Sequence, residues 1–175
     1  MLKEKSNLKT FLADLEKLRK KVVVVGVPEN KATRKGDKIN NATLAYIHEK
    51  GSPAAHIPAR PFLKPGIALV KDQCADALAK TAETLGTGNI DLSGMEDAAL
   101  IAETSVKKFI ATGQVKPALS KKYKKSLMRH MLKRVSKKKR PAEKERIKNE
   151  GFTPLYRTGQ AGLAGSIKGL VRDKD

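Results

Sequence analysis

Pro53, Pro58, Pro61 and Pro65 fall within one short stretch, and no regular helix or central strand can run through all of them. Each proline fixes its own φ, lacks an amide N–H and pushes the preceding residue out of the α region. Residues 52–66 are therefore predicted to be extended or turning, with regular elements on either side. Inside this stretch lies the run IPARPFL, residues 57–63, in which Arg60 is held between Ala59 and Pro61. Ile57, Phe62 and Leu63 are suited to anchor in a core. Pro58 and Pro61 also have the spacing of a polyproline ligand, but the flanking apolar residues favour a pinned structural loop.

On the N-terminal side, Leu8, Phe11, Leu12, Leu15 and Leu18 recur at three- and four-residue spacing and predict an amphipathic helix over 6–21, capped by Ser6 or Asn7. The β-branched run Val22–Val25 with Val27, closed by Gly26 and Pro28, predicts a buried strand. Residues 29–38 are charged and read as an exposed loop. Asn40 or Asn41 then caps a short helix carrying Leu44, Ala45, Ile47 and His48, with Gly51 just past its end.

Beyond the prolines, two longer helical patterns are predicted over about 66–85 and 95–112, joined by the loop GTGNIDLSG. From Lys116 to Lys148 the composition changes: fifteen Lys and Arg face only two acids, Glu143 and Glu145. Tyr123, Leu127, Met131 and Val135 at four-residue spacing allow a helix from Ser120, and Pro141 is expected to interrupt it. The tail turns through Thr153-Pro154 and Thr158-Gly159, then ends in SIKGLVR, a terminal strand with Ile167 and Val171 on one face. The predicted fold class is α+β: a small, mainly antiparallel sheet packed against two long helices, with a basic, partly extended arm over 116–150. Length favours a single domain over 1–175.

The chain has 175 residues, 39% of them hydrophobic and 4% aromatic, with a formal net charge of +19. Such a surplus favours polyanions or acidic protein surfaces. The single Cys74 rules out an internal disulfide and suits a reducing compartment. The first residues alternate charge with leucine, unlike a signal peptide, and no apolar run approaches the ~20 residues of a membrane span. A chain made in a cytoplasm, with no membrane partner, is the expectation.

Signs of catalysis are few. His48-Glu49 begins like a zinc-protease signature, but position 52, where the second His belongs, is Ser. His48 reads better as a partly buried helix residue, Cys74 as a small core residue, and Glu96 and Asp97 as acids favoured by a helix dipole. No Gly-rich phosphate loop is present, and the glycines at 159, 162 and 165 read as turn and close-approach positions. No enzyme activity, metal or cofactor is expected. In the basic segment Lys121, Lys122, Lys124, Lys125, Arg129, Lys133, Arg134, Lys137, Lys138, Lys139 and Arg140 are candidate contacts to a polyanion or an acidic partner. Tyr123 is the only aromatic there, which argues against base stacking.

Taken in order, VVVVGVPE, NNATLAYIHEKGSP, IPARPFLKPGI and TPLYRTGQAGLAGSIKGLVR resemble the tail-completion and virion-morphogenesis proteins of tailed bacteriophages. The likeness covers most of the chain. It departs in the longer, more basic segment 116–148 and in Ala161-Gly162, where a Leu directly after Gln is common. The resemblance implies a structural subunit of the neck or head–tail junction that closes into a ring, as a hexamer or dodecamer, assembled in the host cytoplasm and kept in the virion. Its implied partners are copies of itself and neighbouring connector, tail-tube or terminator proteins, with possible non-specific contact to genomic DNA. Ile57, Pro58, Arg60, Pro61, Phe62, Thr158 and Gly159 are the candidate assembly contacts, with the loop at 28–38 and the basic arm as further surfaces. The alternative expectation, from charge alone, is a small basic protein that binds double-stranded nucleic acid.

Overall fold

A computed structural model describes residues 2–28, 39–133, 135–150, 155 and 162–174. Helix α1 (Leu2–Arg19) leads through Lys20 into strand β1 (Lys21–Gly26). Helix α2 (Asn41–Lys50) opens where Asn40 accepts a hydrogen bond from the Thr43 N–H at 2.7 Å, the N-cap role its short polar side chain suits. It closes on Gly51, whose φ of 78° is left-handed and whose N–H reaches the Ile47 carbonyl. A side chain there would press within 2.8 Å of the Ala59 nitrogen.

The proline-spaced stretch is fixed by its own hydrogen bonds. Ser52 and Ile57 pair as an antiparallel bridge, each donating to the other at 2.9 Å. A 3₁₀ turn over Pro53–Ala55 connects them, and His56 takes a left-handed φ of 51°. The loop is thus pinned, as its apolar flanks suggested. Regular structure resumes sooner than the prolines alone imply: helix α3 spans Leu63–Ala68, with Pro65 in its first turn, where a missing N–H costs little.

The long helix predicted over 66–85 is two helices, α3 and α4 (Lys71–Glu83), separated at Leu69–Val70. There the Val70 N–H bonds back to the Ile67 carbonyl in a tightened turn, and the chain changes direction. The second predicted helix matches α5 (Ser93–Ala111), the central element of the molecule. It packs against α3, α4 and both strands of the sheet. Ala98, Ala99 and Ala102 keep its surface small, and Gly94 meets the Ala77 carbonyl so closely that no side chain would fit.

The basic segment is largely helical. Helix α6 (Lys121–Lys133), a 3₁₀ turn (Lys137–Lys139) and helix α7 (Arg140–Glu150) form a hairpin. Pro141 does not interrupt the first helix; it is the second residue of α7, and Val135–Ser136 before the 3₁₀ turn are already non-helical. A proline in a first turn has a φ already suited to a helix. Inward-facing residues of α6 are Lys124, Leu127, Met128, Met131 and Leu132, all half-buried, whereas Tyr123, expected on that face, is exposed.

A four-residue helix α8 (Leu163–Ser166) precedes strand β2 (Lys168–Asp173). β1 and β2 pair antiparallel from Lys21↔Asp173 to Gly26↔Lys168. The chain is therefore α+β, a two-stranded antiparallel sheet packed against helices, as the order of elements implied. Val25 faces Gly169 across the ladder, and Gly169 lies directly on the backbone of Ala99. Cross-strand partners share a face, so Val23, Val25, Gly169 and Val171 turn toward α5. The core beneath gathers Ala45, Phe62, Val106, Ile110, Val115, Leu163, Ala164 and Ile167.

Candidate functional site

The two motifs singled out by sequence, His48-Glu49 and IPARPFL, are stitched together. The last turn of α2 leaves carbonyls without intrahelical partners, and the first turn of α3 leaves N–H groups without them. The Arg60 N–H donates to the His48 carbonyl at 2.6 Å. The Glu49 carboxylate accepts from the N–H groups of Phe62, Leu63 and Lys64 at 2.8, 3.0 and 3.2 Å. A carboxylate at a helix N-terminus satisfies its donors and its dipole together. Glu49 is thus a capping residue with both oxygens engaged, not a free general base. Burial, aided by the nearby Arg60 charge, holds the His48 imidazole below its ordinary pKa, and its Nδ1 has no hydrogen-bond partner among the described residues.

The candidate contacts in IPARPFL have different fates. Pro58 and Pro61 are exposed, and Ile57 is half-buried in its bridge. Phe62 is wholly buried in the core and has no surface to offer a neighbour. The Arg60 Nε donates to the Pro117 carbonyl at 2.9 Å, which ties the loop to the segment leading into the basic hairpin. Thr158, Gly159 and most of the 28–38 loop lie outside the described residues, as does Arg134. Cys74 is half-buried, its thiol raised by burial and its Sγ 3.6 Å from the Ala98 carbonyl, in keeping with a small packing residue.

Two acids that sequence reasoning passed over organise the body. Asp14 is fully buried and accepts from the N–H groups of Gly86 and Gly88 at 3.1 and 2.9 Å; its other oxygen lies 3.5 Å from the Lys17 ammonium. Both glycines have positive φ, which turns their N–H groups toward the carboxylate. Asp14 therefore fastens α1 to the loop after α4. Glu103, in the middle of α5, accepts from Lys107 at 2.6 Å, Lys168 at 3.2 Å and the Gly169 N–H at 2.8 Å. Its burial opposes ionisation, but these donors outweigh it and hold the carboxyl below the usual range. A lone acid on an otherwise apolar helix face was the available signal for Glu103, since a buried charge needs partners.

Fastening α1 through Asp14 turns Leu8, Leu12 and Leu15 outward, while Leu18 stays half-buried. Leu8, Leu12 and Leu15 are 59%, 51% and 43% exposed, and Phe11 is exposed beside them. The face inferred from their spacing exists, but it does not cover the described core. On the sheet, Val22 and Val24 stand on the side opposite Val25, and Leu170, across from Val24, is exposed. The third surface is the basic hairpin. Its fifteen cations less two acids give +13 over 116–148, against +6 for the rest of the +19 total. Among the described residues Lys121, Lys122, Lys125, Arg129, Lys133 and Lys137–Lys139 are exposed. Arg140 is half-buried, and its Nε is committed to the Val135 carbonyl at 3.1 Å.

Among the described residues no group of His, Cys, Asp and Glu is placed to hold a metal. No described helix is long and apolar enough to cross a membrane. A shallow cavity of about 240 Å³ is lined by Val27, Ala42, Ala45, Tyr46, Glu49, Lys50 and Leu63, and it is predominantly apolar. Comparison with protein-family models, with curated proteins and with solved structures finds no match.

Proposed function

We propose that this chain is a structural virion protein, a ring-forming tail-completion or neck subunit at the head–tail junction of a tailed bacteriophage, with no catalytic role. The observation that carries the reading is the apolar surface left open on α1, where Leu8, Leu12 and Leu15 form one exposed stripe. Large apolar surface on a small, charged chain is costly in water and marks an interaction face. Leu170 on the outer sheet face adds to it. A heterologous contact repeated about a cyclic axis buries such surface on every subunit and leaves none free.

The sequence segments that resemble tail-completion proteins also support the reading, because they are neighbours in the fold. VVVVG pairs with KGLVRD across the sheet. Asn41, in the NNATLAYIHEK segment, donates to Ser166 of the closing segment at 2.6 Å. Glu49 caps the helix that IPARPFL enters. Residues with the pattern of one family thus form a single connected framework.

Native mass spectrometry and electron microscopy of the full chain, alone and with junction partners, test the proposal. Closed rings are expected, and Leu12→Asp is expected to reduce them to monomers of unchanged fold. A chain that stays monomeric in every mixture, or rings indifferent to Leu12→Asp and to a combined Leu8/Leu15→Asp change, would count against it.

A further inference from the structure

We propose that the outer face of α6 is a docking surface for double-stranded nucleic acid, held through the phosphate backbone and indifferent to base sequence. Lys121, Lys125, Arg129 and Lys133 follow one another at four-residue steps, with Lys122 beside them. On a helix such steps place one positive charge about every 6 Å along a shallow ridge. The row spans about 18 Å, a length over which a duplex presents roughly ten phosphate charges. Helix α6 contains no acid, and none of these five side chains has an ion-pair partner among the described residues.

Packing fixes the direction of this row. Leu127, Met128, Met131 and Leu132 are half-buried, and among the described elements α7 is the main one that α6 packs against. The outward arc consists of Lys121, Lys122, Lys125, Ser126, Arg129, His130 and Lys133, all exposed, with Tyr123 at its edge. That composition separates the possible polyanions. Protein interfaces draw on aromatic and apolar anchors and are depleted in lysine, and this arc has no apolar centre. A membrane surface is bound by an amphipathic helix whose apolar side enters the lipid, but here that side is already half-buried within the protein. Single strands are held by stacking platforms, and one tyrosine does not make one. A phosphate-lined duplex fits what remains. This inference does not rest on the ring reading, since a monomer carries the same face.

The test is fluorescence anisotropy of the full-length protein with a mixed-sequence duplex of about 20 base pairs, over a range of salt. Log K should fall linearly with log salt, with a slope of about −4 or steeper. Changing Lys121, Lys125, Arg129 and Lys133 together to Gln should reduce the slope by about 3 to 4 and weaken binding roughly 1000-fold at 0.1 M salt. An equal charge change in the body, at the exposed Lys64, Lys71, Lys80 and Lys108, should leave the slope within about one unit. Should the fourfold variant lose its thermal transition, Lys125/Arg129→Gln gives the same reading at half the slope change. Equal losses from both sets overturn the proposal, because net charge and not this face would then be responsible. Absent salt-dependent binding overturns it too, as does tighter binding to polyglutamate, phosphatidylserine vesicles or single strands than to duplex at the same salt.

Discussion

The body around α5 and the hairpin of α6 and α7 are both mainly helical, yet they are ordered by different means. In the body, elements approach until only small residues fit: Gly94 lies on Ala77 and Gly169 on Ala99. Acids there accept from backbone N–H groups of distant segments, as Asp14, Glu49 and Glu103 do, and the net charge is +6 against +13 for the basic segment. In the hairpin α6 buries no residue completely, and Ile147 is the one described apolar side chain of the hairpin that is fully enclosed. Acids are scarce, and most cations point to solvent. Close packing demands charge pairing, whereas a two-helix projection held by a half-buried seam tolerates a strong single-sign field. The field is then available for a partner.

The contrast is easiest to break at Gly169. Gly169→Val would drive a side chain into the Ala99 backbone and split the sheet from α5, and a stability loss of about 3 kcal/mol or more is expected by chemical denaturation. A loss below about 1 kcal/mol would mean that the approach is not tight. Next comes Glu103→Gln, which removes the charge shared by Lys107, Lys168 and the Gly169 N–H and should cost about 1.5–3 kcal/mol at neutral pH. The folded carboxyl titrates below its ordinary value near 4.5. Its contribution is therefore present above that pH and lost as pH falls through the lower folded value. Wild type and Glu103→Gln should converge in stability in acid, and parallel curves would refute this assignment.

His48 gives a smaller effect in a different pH window. Its neutral form is favoured by burial, so the fold should lose stability as pH drops below about 6.5, where the unfolded imidazole takes up a proton. His48→Gln should flatten that part of the profile. Arg60→Ala removes the tie to Pro117 and should cost about 1 kcal/mol while leaving the helical content of the hairpin intact. The smallest change in stability is expected from the fourfold Gln variant of α6, within about 0.5 kcal/mol, because those side chains touch little. A large loss there would show the row to be structural and the contrast between the two regions to be false.

Much of the body was legible in sequence. The valine run as a strand, though half-buried and not buried as expected, the Asn40 cap, the Gly51 stop and the helix of α5 come from local chemistry that acts within a few residues. What escaped depends on contacts between distant segments. The leucine periodicity of α1 correctly signals a helix, but the row that docks is Thr10, Asp14 and Leu18, because Asp14 finds two glycine N–H groups more than seventy residues away. Glu49 looked like half of a metal motif until the chain folded the α3 N-terminus onto it. Pro141 marks a helix boundary from sequence, but whether it ends one helix or begins the next depends on the preceding turn. For the candidate surfaces, composition identified the basic segment, while only the packing of Leu127, Met128, Met131 and Leu132 determined which lysines face outward.

The clamp at Glu49 also has a consequence for engineering. His48 and Arg60 are joined through the backbone, and Glu49 holds the start of α3, so residues 51–59 are an excursion whose two ends are already fastened. Lengthening a loop with fixed ends costs only about 0.6 kcal/mol per doubling. The exposed Ala54–Ala55 step is therefore a natural point for grafting a peptide tag or epitope, because the added chain would leave the framework on either side in register.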